Sequence, residues 1–256
     1  MEMNRPELQP RFDYGHYLES VQDSERISKN LAVFLPFFRD CKHVLDLGCG
    51  AGQFLRLLED AGIKAIGVDG DSLAADRAEA SGLRVIRADV SQFLKDTKDS
   101  FDGIFCSHLI EHLPFEALVE LIEGIARNLT ARGVLVMAFP NPESLDMQLF
   151  HFWVDPQHVR FYHPTLIQAM LRHYGLEVEL CTFRNWRTRE MPGQSNGSSN
   201  GRSVLDDRKT NRGVARKIGK RLKTVLGIAR LEEEVDYLTR LKKIGEEAVI
   251  VARRVG

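Results

Sequence analysis

Cysteine is scarce and shows no pairing by spacing: Cys41, Cys49, Cys106 and Cys181 lie far apart, with no CxxC motif. That excludes a disulfide framework or a zinc ribbon and points to buried free thiols in a reducing compartment. Long apolar runs are missing too. No stretch approaches the roughly 18 apolar residues that cross a bilayer, and the opening MEMNRPELQPRFDYG is polar and carries two prolines. Neither a membrane span nor a signal peptide is expected, and a cytoplasmic protein is. The third absence is an excess of one charge. Thirty-five Lys and Arg face 36 Asp and Glu, for a net charge of −1, so no chain-wide basic surface argues for nucleic acid. What remains is a chain of 256 residues, 43% hydrophobic, long enough for one large core.

Apolar runs of strand type alternate with amphipathic helical runs from Lys42 to Arg184. The predicted strands are His43–Leu47, Lys64–Val68, Arg84–Arg87, Phe101–Cys106, Gly133–Phe139 and Leu176–Phe183. Strand and helix in turn imply right-handed crossovers and a doubly wound, mainly parallel α/β sheet. Residues 1–41 form an N-terminal cap region, in which Asp23 to Phe38 reads as one helix ended near Pro36 and covering an edge of the sheet. Beyond Arg184 the composition changes. Thr188 to Gly213 is rich in Gly, Ser and Asn, Val214 to Ile228 is basic and amphipathic, and Ala229 to Ile244 is acidic and then basic. Glu246–Arg253 reads as a seventh strand. If it rejoins the sheet, the main domain comprises 42–186 and 246–256, and 187–245 is a flexible and helical basic insertion.

Between the first strand and its helix lies Gly48-Cys49-Gly50-Ala51-Gly52, where glycines can take left-handed conformations and let a ligand lie against the backbone. The spacing is GxGxG rather than the GxGxxG of dinucleotide sites. Asp69 closes the next strand about 20 residues on, where a carboxylate can accept from both ribose hydroxyls. Asp89 ends the third strand, near where an adenine edge would lie.

The ordered set VLDLGCGAG, GVDGD, ADV, FDGIFCSHLIEHLP and LTARGVLVMAFPNP resembles the class I S-adenosylmethionine (SAM)-dependent methyltransferases, from Val44 to Arg184 and through the terminal strand. The resemblance implies a seven-stranded Rossmann-like fold, SAM as cofactor and methyl transfer as activity. It implies that Gly48, Gly50 and Gly52 border the methionine part of SAM, that Asp69 binds ribose, that Asp89 with Val90 contacts adenine, and that Asp46 belongs with these cofactor-binding residues. A tight turn with Asp69 and Asp89 as mere helix caps is the plain alternative. A nonenzymatic nucleotide-binding module would keep the turn but lack an acceptor pocket.

SHLIEHLPF sets His108, Glu111 and His112 just past the fourth strand, on the rim where open α/β sheets bind ligands. Histidine can take a hydroxyl proton near neutral pH, and His108 is the favoured general base. The literal HxxEH string is also a zinc-protease signature, but that needs a continuous helix, and Pro114 more naturally opens the next one as its first residue. Similar Glu-His pairs help bind a divalent metal in ubiquinone-biosynthesis and small-RNA 3′-end methyltransferases. Here His108 stands where those families have a first Glu, and no metal is expected. The alternative for Glu111 and His112 is a hydrogen-bonded pair that fixes the turn.

A second cluster, FWVDPQHVRFYHP, brings Asp155, His158, Arg160, Tyr162 and His163 together among aromatics that could pack on sugar faces. His158 is a second candidate base and Arg160 an acceptor clamp; the alternative is a closing loop with His163 as helix cap. DPQHVRFYHPTLIQAMLRHYGLEV and the LPFF helix resemble a bacterial subgroup related to glycan and O-antigen methyltransferases. That resemblance implies O-methylation of a hydroxyl on a sugar or glycan intermediate, with a small phenolic or quinone-like metabolite or an RNA 3′ end as alternatives. RFDYGHYLES departs from that subgroup's F.RG signature at Leu18-Glu19, while Tyr14 and Tyr17 remain available to cover SAM.

From Arg202 to Arg230 ten Lys or Arg stand against two acids, a local +8 that leaves −9 for the rest of a net −1 chain. Val214, Ile218, Leu222, Val225 and Leu226 share a helical face, a pattern suited to an anionic membrane or an acidic partner, and hence to a lipid-linked acceptor met by residues 214–244. The alternative is a solvated helix packed on the domain. No aromatics interleave with the basic residues, so nucleic acid is not expected.

Overall fold

A computed structural model describes Tyr17, residues 24–184 and residues 245–256. Tyr14 and the sequence-predicted insertion, apart from Gly245, lie outside the described residues. Four buried residues, VLDL, make β1 (Val44–Leu47), and the chain then alternates α2 (Gln53–Asp60), β2 (Ala65–Asp69), α3 (Ser72–Ala80), β3 (Val85–Arg87), α4 (Val90–Asp96), β4 (Phe101–Ser107), α5 (Phe115–Asn128), β5 (Leu129–Pro140), α6 (Pro164–His173), β6 (Leu176–Arg184) and β7 (Glu247–Arg254), after an N-terminal α1 (Ser24–Leu31). Seven strands form one sheet in the order β3-β2-β1-β4-β5-β7-β6, parallel except for β7. This is the seven-stranded Rossmann-like sheet expected. Strand order reverses at β1, so the carboxyl ends of β1 and β4 border a crevice, the position where such sheets take ligands.

Alternate residues of the central strands serve opposite faces. Leu135 and Met137 join Leu118, Ile122, Ile125 and Ile167 from α5 and α6 on one side; Val134 and Val136 join Phe54 and Leu58 from α2 on the other. Against this second face lies the N-terminal segment, and two expectations change there. The helix read through to Phe38 turns 3-10 over Ala32–Phe38, with Pro36 inside it. Pro36 donates no backbone hydrogen bond, and its ring crowds the carbonyl four residues back, which breaks the α path there. Nor does the segment cap an edge. Phe34 and Phe38 lie 5.3 and 6.0 Å, centroid to centroid, from Phe105 of the central strand β4, because two buried phenyl groups need an apolar face wider than an edge strand offers.

Two boundaries also moved. β5 begins at Leu129, pairs with Phe101, and shifts register before Gly103↔Val134. The polar stretch Thr130 to Gly133 hides that start, because Arg132 takes a left-handed φ of 62° there. Pro114 is the N-cap of α5 rather than its first residue.

Candidate active site

The glycine turn leaves β1 with φ of 70°, 54° and 81° at Gly48, Gly50 and Gly52, a left-handed run that residues with a Cβ adopt only at a cost. At Gly50 an added Cβ would meet nothing within 4 Å, so this face of the backbone is open to a ligand. Asp69 secures the turn: Gly50 N–H donates to its Oδ2 at 2.7 Å, and Asp71 N–H to its Oδ1 at 2.8 Å. Each oxygen keeps a second lone pair for a ribose hydroxyl. Asp89 caps α4 by accepting from Gln92 N–H at 2.9 Å, and Val90 packs its side chain into the core. Asp46 lies buried in β1 between Gly67 and Phe105, and burial, reinforced by Asp69, pushes its carboxyl up to about 8.

The other half of the crevice starts where β4 ends. His108 takes a left-handed φ of 52°, and its N–H donates to Ala138 O on β5 at 2.9 Å. Its ring is held between two buried carboxylates, with Nδ1 2.9 Å from Glu111 Oε1 and Nε2 3.0 Å from Glu247 Oε1. Burial lowers the imidazole's pKa, but these hydrogen bonds and charges outweigh it and hold the group up at about 10. His108 is therefore an imidazolium at neutral pH, donating from both nitrogens, with no lone pair to take a proton. Hydrogen bonds from both ring nitrogens to carboxylates weigh against the general base expected at His108.

His158 is arranged differently. Its Nδ1 lies 2.5 Å from Phe152 O, which places the ring proton on Nδ1 and leaves the Nε2 lone pair facing Glu111 Oε1 at 4.0 Å. Burial pushes its pKa down, so the ring is neutral. The loop carrying it is latched to the turn after β4: Val159 and Arg160 N–H both donate to Glu111 O, and Tyr162 Oη donates to Leu113 O. The Arg160 guanidinium rests 5.1 Å from the centroid of the Tyr162 ring, and Tyr17 Oη donates to Val154 O at 2.7 Å. His163 caps α6, its Nδ1 accepting from Thr165 N–H. Glu111 and His112 lie in a 3-10 turn, Ile110–His112, not in the continuous helix a zinc protease needs.

Over residues 14–180, well over half its length, the chain matches the family described as a methyltransferase domain. The chain belongs to that family. Trans-aconitate 2-methyltransferase from Rhizobium rhizogenes is 27% identical over 131 residues, 50% of this chain and 49% of that protein, so this chain spans about half of that relative's length. A ubiquinone biosynthesis O-methyltransferase from Xylella fastidiosa is 27% identical over 166 residues, 57% of this chain and 66% of that protein. Among solved structures, a SAM-dependent methyltransferase from Archaeoglobus fulgidus matches at TM-score 0.72 and 27% identity, over 95% of this chain and all of that one. Magnesium protoporphyrin IX methyltransferase from Synechocystis with bound SAH shares the fold at TM-score 0.54 and 12% identity, over 96% of this chain and 89% of that one. The fold is that of a SAM-dependent methyltransferase, with SAM the cofactor.

Of the donor-side residues expected from sequence, the glycine turn and Asp69 lie at the crevice, while Asp46 is buried in β1 and Val90 packs into the core. The methyltransferase's acceptor side holds a group that sequence reasoning missed. Glu247 enters 139 positions after His108, and the only signal was a pair of acids, Glu246-Glu247, opening an otherwise apolar strand. Also unforeseen was the convergence of Glu111, His112 and His158, whose ligating atoms all lie within 4.8 Å of one another.

Proposed function

We propose that this methyltransferase transfers the methyl group of SAM to a hydroxyl, on a sugar or glycan intermediate. His158 carries the reading: a neutral imidazole whose Nδ1 is held by Phe152 O presents its Nε2 lone pair beside the turn after β4, 4.0 Å from Glu111 Oε1. The two halves of the crevice touch, since a Cβ added at Gly48 would come within 3.2 Å of Leu109. SAM's sulfonium has already activated the methyl group, so the chain's task is alignment, which contributes several kcal/mol to a two-reactant step. The acceptor oxygen attacks the methyl carbon in line. A C–O bond forms, the C–S bond breaks with its electron pair left on sulfur, S-adenosylhomocysteine departs, and the hydroxyl proton passes to His158 Nε2. Phe152 and Phe161, stacked at 3.7 Å, stiffen the loop that would hold the sugar, and Arg160 is its clamp.

A second reading, a flat phenolic or quinone-like acceptor, is favoured by Leu149, Phe150 and Trp153, each 64% exposed on the same loop. A mass-spectrometric screen of sugars, glycan precursors and phenols with SAM decides among acceptors. A methyl ether is the expected product, and His158→Ala should slow its formation by roughly 10²–10⁴. Transfer only to an amine, a carboxylate or carbon would overturn the hydroxyl reading.

The acceptor is met at an anionic surface, where the +8 stretch from Arg202 to Arg230 supports docking. Arg184 and Pro140 both pair with Glu247, so the intervening chain leaves and returns at the rim that holds the crevice. Among the described residues no helix is long and apolar enough to cross a membrane.

A further inference from the structure

We propose that Glu247 is a positioning residue for the transfer: gripping His108 from β7, it fixes through Glu111 where His158 stands, and it leaves the cluster a negative charge for His158 to meet on taking the hydroxyl proton. Three observations carry it. The first is that Glu247 is built into the sheet and reaches the rim from there. It is 2% exposed, and its backbone pairs with Pro140 on one side and Arg184 on the other. Its Oε1 lies 3.0 Å from His108 Nε2, and His108 Nδ1 lies 2.9 Å from Glu111 Oε1, so one imidazole bridges β7 and the turn after β4. The left-handed φ of 52° at His108 persists only where its surroundings hold it, and here the two ring contacts and the N–H bond to Ala138 O do so. The second observation continues that line to the base. Glu111 O accepts from Val159 N–H at 2.8 Å and from Arg160 N–H at 3.3 Å, the two residues that follow His158, and Glu111 Oε1 is the oxygen that His158 Nε2 faces at 4.0 Å.

Charge is the third observation. An ionised carboxylate only accepts, so an imidazole set between two of them donates from both nitrogens as a cation. Two carboxylates and one imidazolium leave one negative charge, whereas Glu111 and His108 alone would cancel. Burying an unbalanced charge is costly, and the neutral pair would hold the turn without it. The charge finds its use at His158. Facing that ring are Glu111 at 4.0 Å, Asp155 at 3.9 Å, His112 at 4.7 Å between centroids and Phe152 O at 2.5 Å. Burial pushes the pKa of His158 down and His112 adds to that, while Glu111 and Asp155 push it up. In the proposed reaction, on which this consequence rests, the hydroxyl proton passes to Nε2 and the new imidazolium faces Glu111. His108 does not fully cancel the charge of Glu111, because Glu247 shares that cation, so the base is stabilised in the form it reaches during transfer. Glu247 acts through His108 and Glu111, not on SAM or the acceptor.

The test is nitrogen NMR of the histidine rings in the full chain, which needs no acceptor, followed by rates. Glu247→Gln keeps the shape of the side chain and removes its charge, and His158 should then lose its added ring proton at lower pH than in the parent. With SAM and the acceptor that a screen of sugars, glycan precursors and phenols returns, this variant should lower kcat roughly three- to tenfold and move the acid limb of the pH–rate profile to lower pH, with KM for SAM within about twofold. Glu247→Ala removes the grip as well and should lower kcat roughly ten- to a hundredfold. Glu177→Gln, which neutralises an exposed acid at the far end of β6, should change neither ring nor rate. Should Glu247→Ala fail to fold, the isosteric Gln variant carries the test. An unmoved His158 titration in Glu247→Gln overturns the inference, as does an unchanged rate where His158→Ala is slow. If His158→Ala leaves the rate intact, it is the proposed base that falls; if that variant is slow yet the His158 titration ignores Glu247, the reaction stands and only the inference falls.

Discussion

Asp46 is two residues ahead of the glycine turn and 3% exposed. Its carboxyl, pushed up to about 8 by burial and by Asp69, is protonated in the folded protein at neutral pH but ionised in the unfolded chain. A group whose folded pKa is raised contributes stability that is present below its unfolded pKa and is lost as pH rises through the folded value. For Asp46 that window runs from about 4 to 8. Asp46→Asn removes the titration, so between pH 5 and pH 8 the variant's melting temperature should fall less than the parent's. At pH 8 the variant should melt higher by about 4–8 °C, the shift that ~2 kcal/mol gives in a domain of this size. Parallel melting curves across that range would refute the assignment. The glycine turn was legible at this scale because its geometry is local: a glycine shows its need for positive φ, and Asp69 bonds a turn 19 positions away. The two carboxylates around His108 were not legible together, because Glu247 is remote from Glu111 in sequence.

Among elements, the 3-10 segment shows what spacing does and does not convey. Phe34 and Phe38 are buried, but no periodicity within the segment says which part of the sheet it covers. Phe38 packs edge-on to Phe54 at 5.5 Å and to Phe105 at 6.0 Å, both part of the core on this face. Phe38→Ala should therefore destabilise the protein by about 3–5 kcal/mol, the cost of emptying a core phenyl site, measured by chemical denaturation. A segment lying on an edge would lose far less, about 1 kcal/mol, as exposed sites do. The strands themselves were legible because β1, β4 and β5 are buried on both faces and read as apolar runs. Their partners were legible only as a topology class, since register depends on contacts between runs.

For the whole molecule the decisive fact is how β6 passes to β7. The two are antiparallel neighbours, and Arg184 pairs directly with Glu247. Replacing residues 186–244 with Asn-Gly would leave Asn185 and Gly245-Glu246 flanking it, a hairpin loop of about five residues, within the common range. That variant should fold, keep its melting temperature within a few degrees and bind SAM within about threefold by calorimetry, because Asn141 still receives Gly245 and Glu246 as partners. The full chain should co-sediment with anionic vesicles at low salt and release at high salt, and the variant should not bind them. A variant that does not fold would make the removed stretch part of the core. Equal sedimentation of both proteins would refute docking through it. The residue at this junction is Glu247, whose carboxylate is one of the two gripping His108. The chain entering β7 thus passes directly into a side chain that holds His108 at the reaction rim. A slip of β7 by one residue would carry the Glu247 carboxylate away from the His108 ring, so the register of the last strand is felt at the crevice rim.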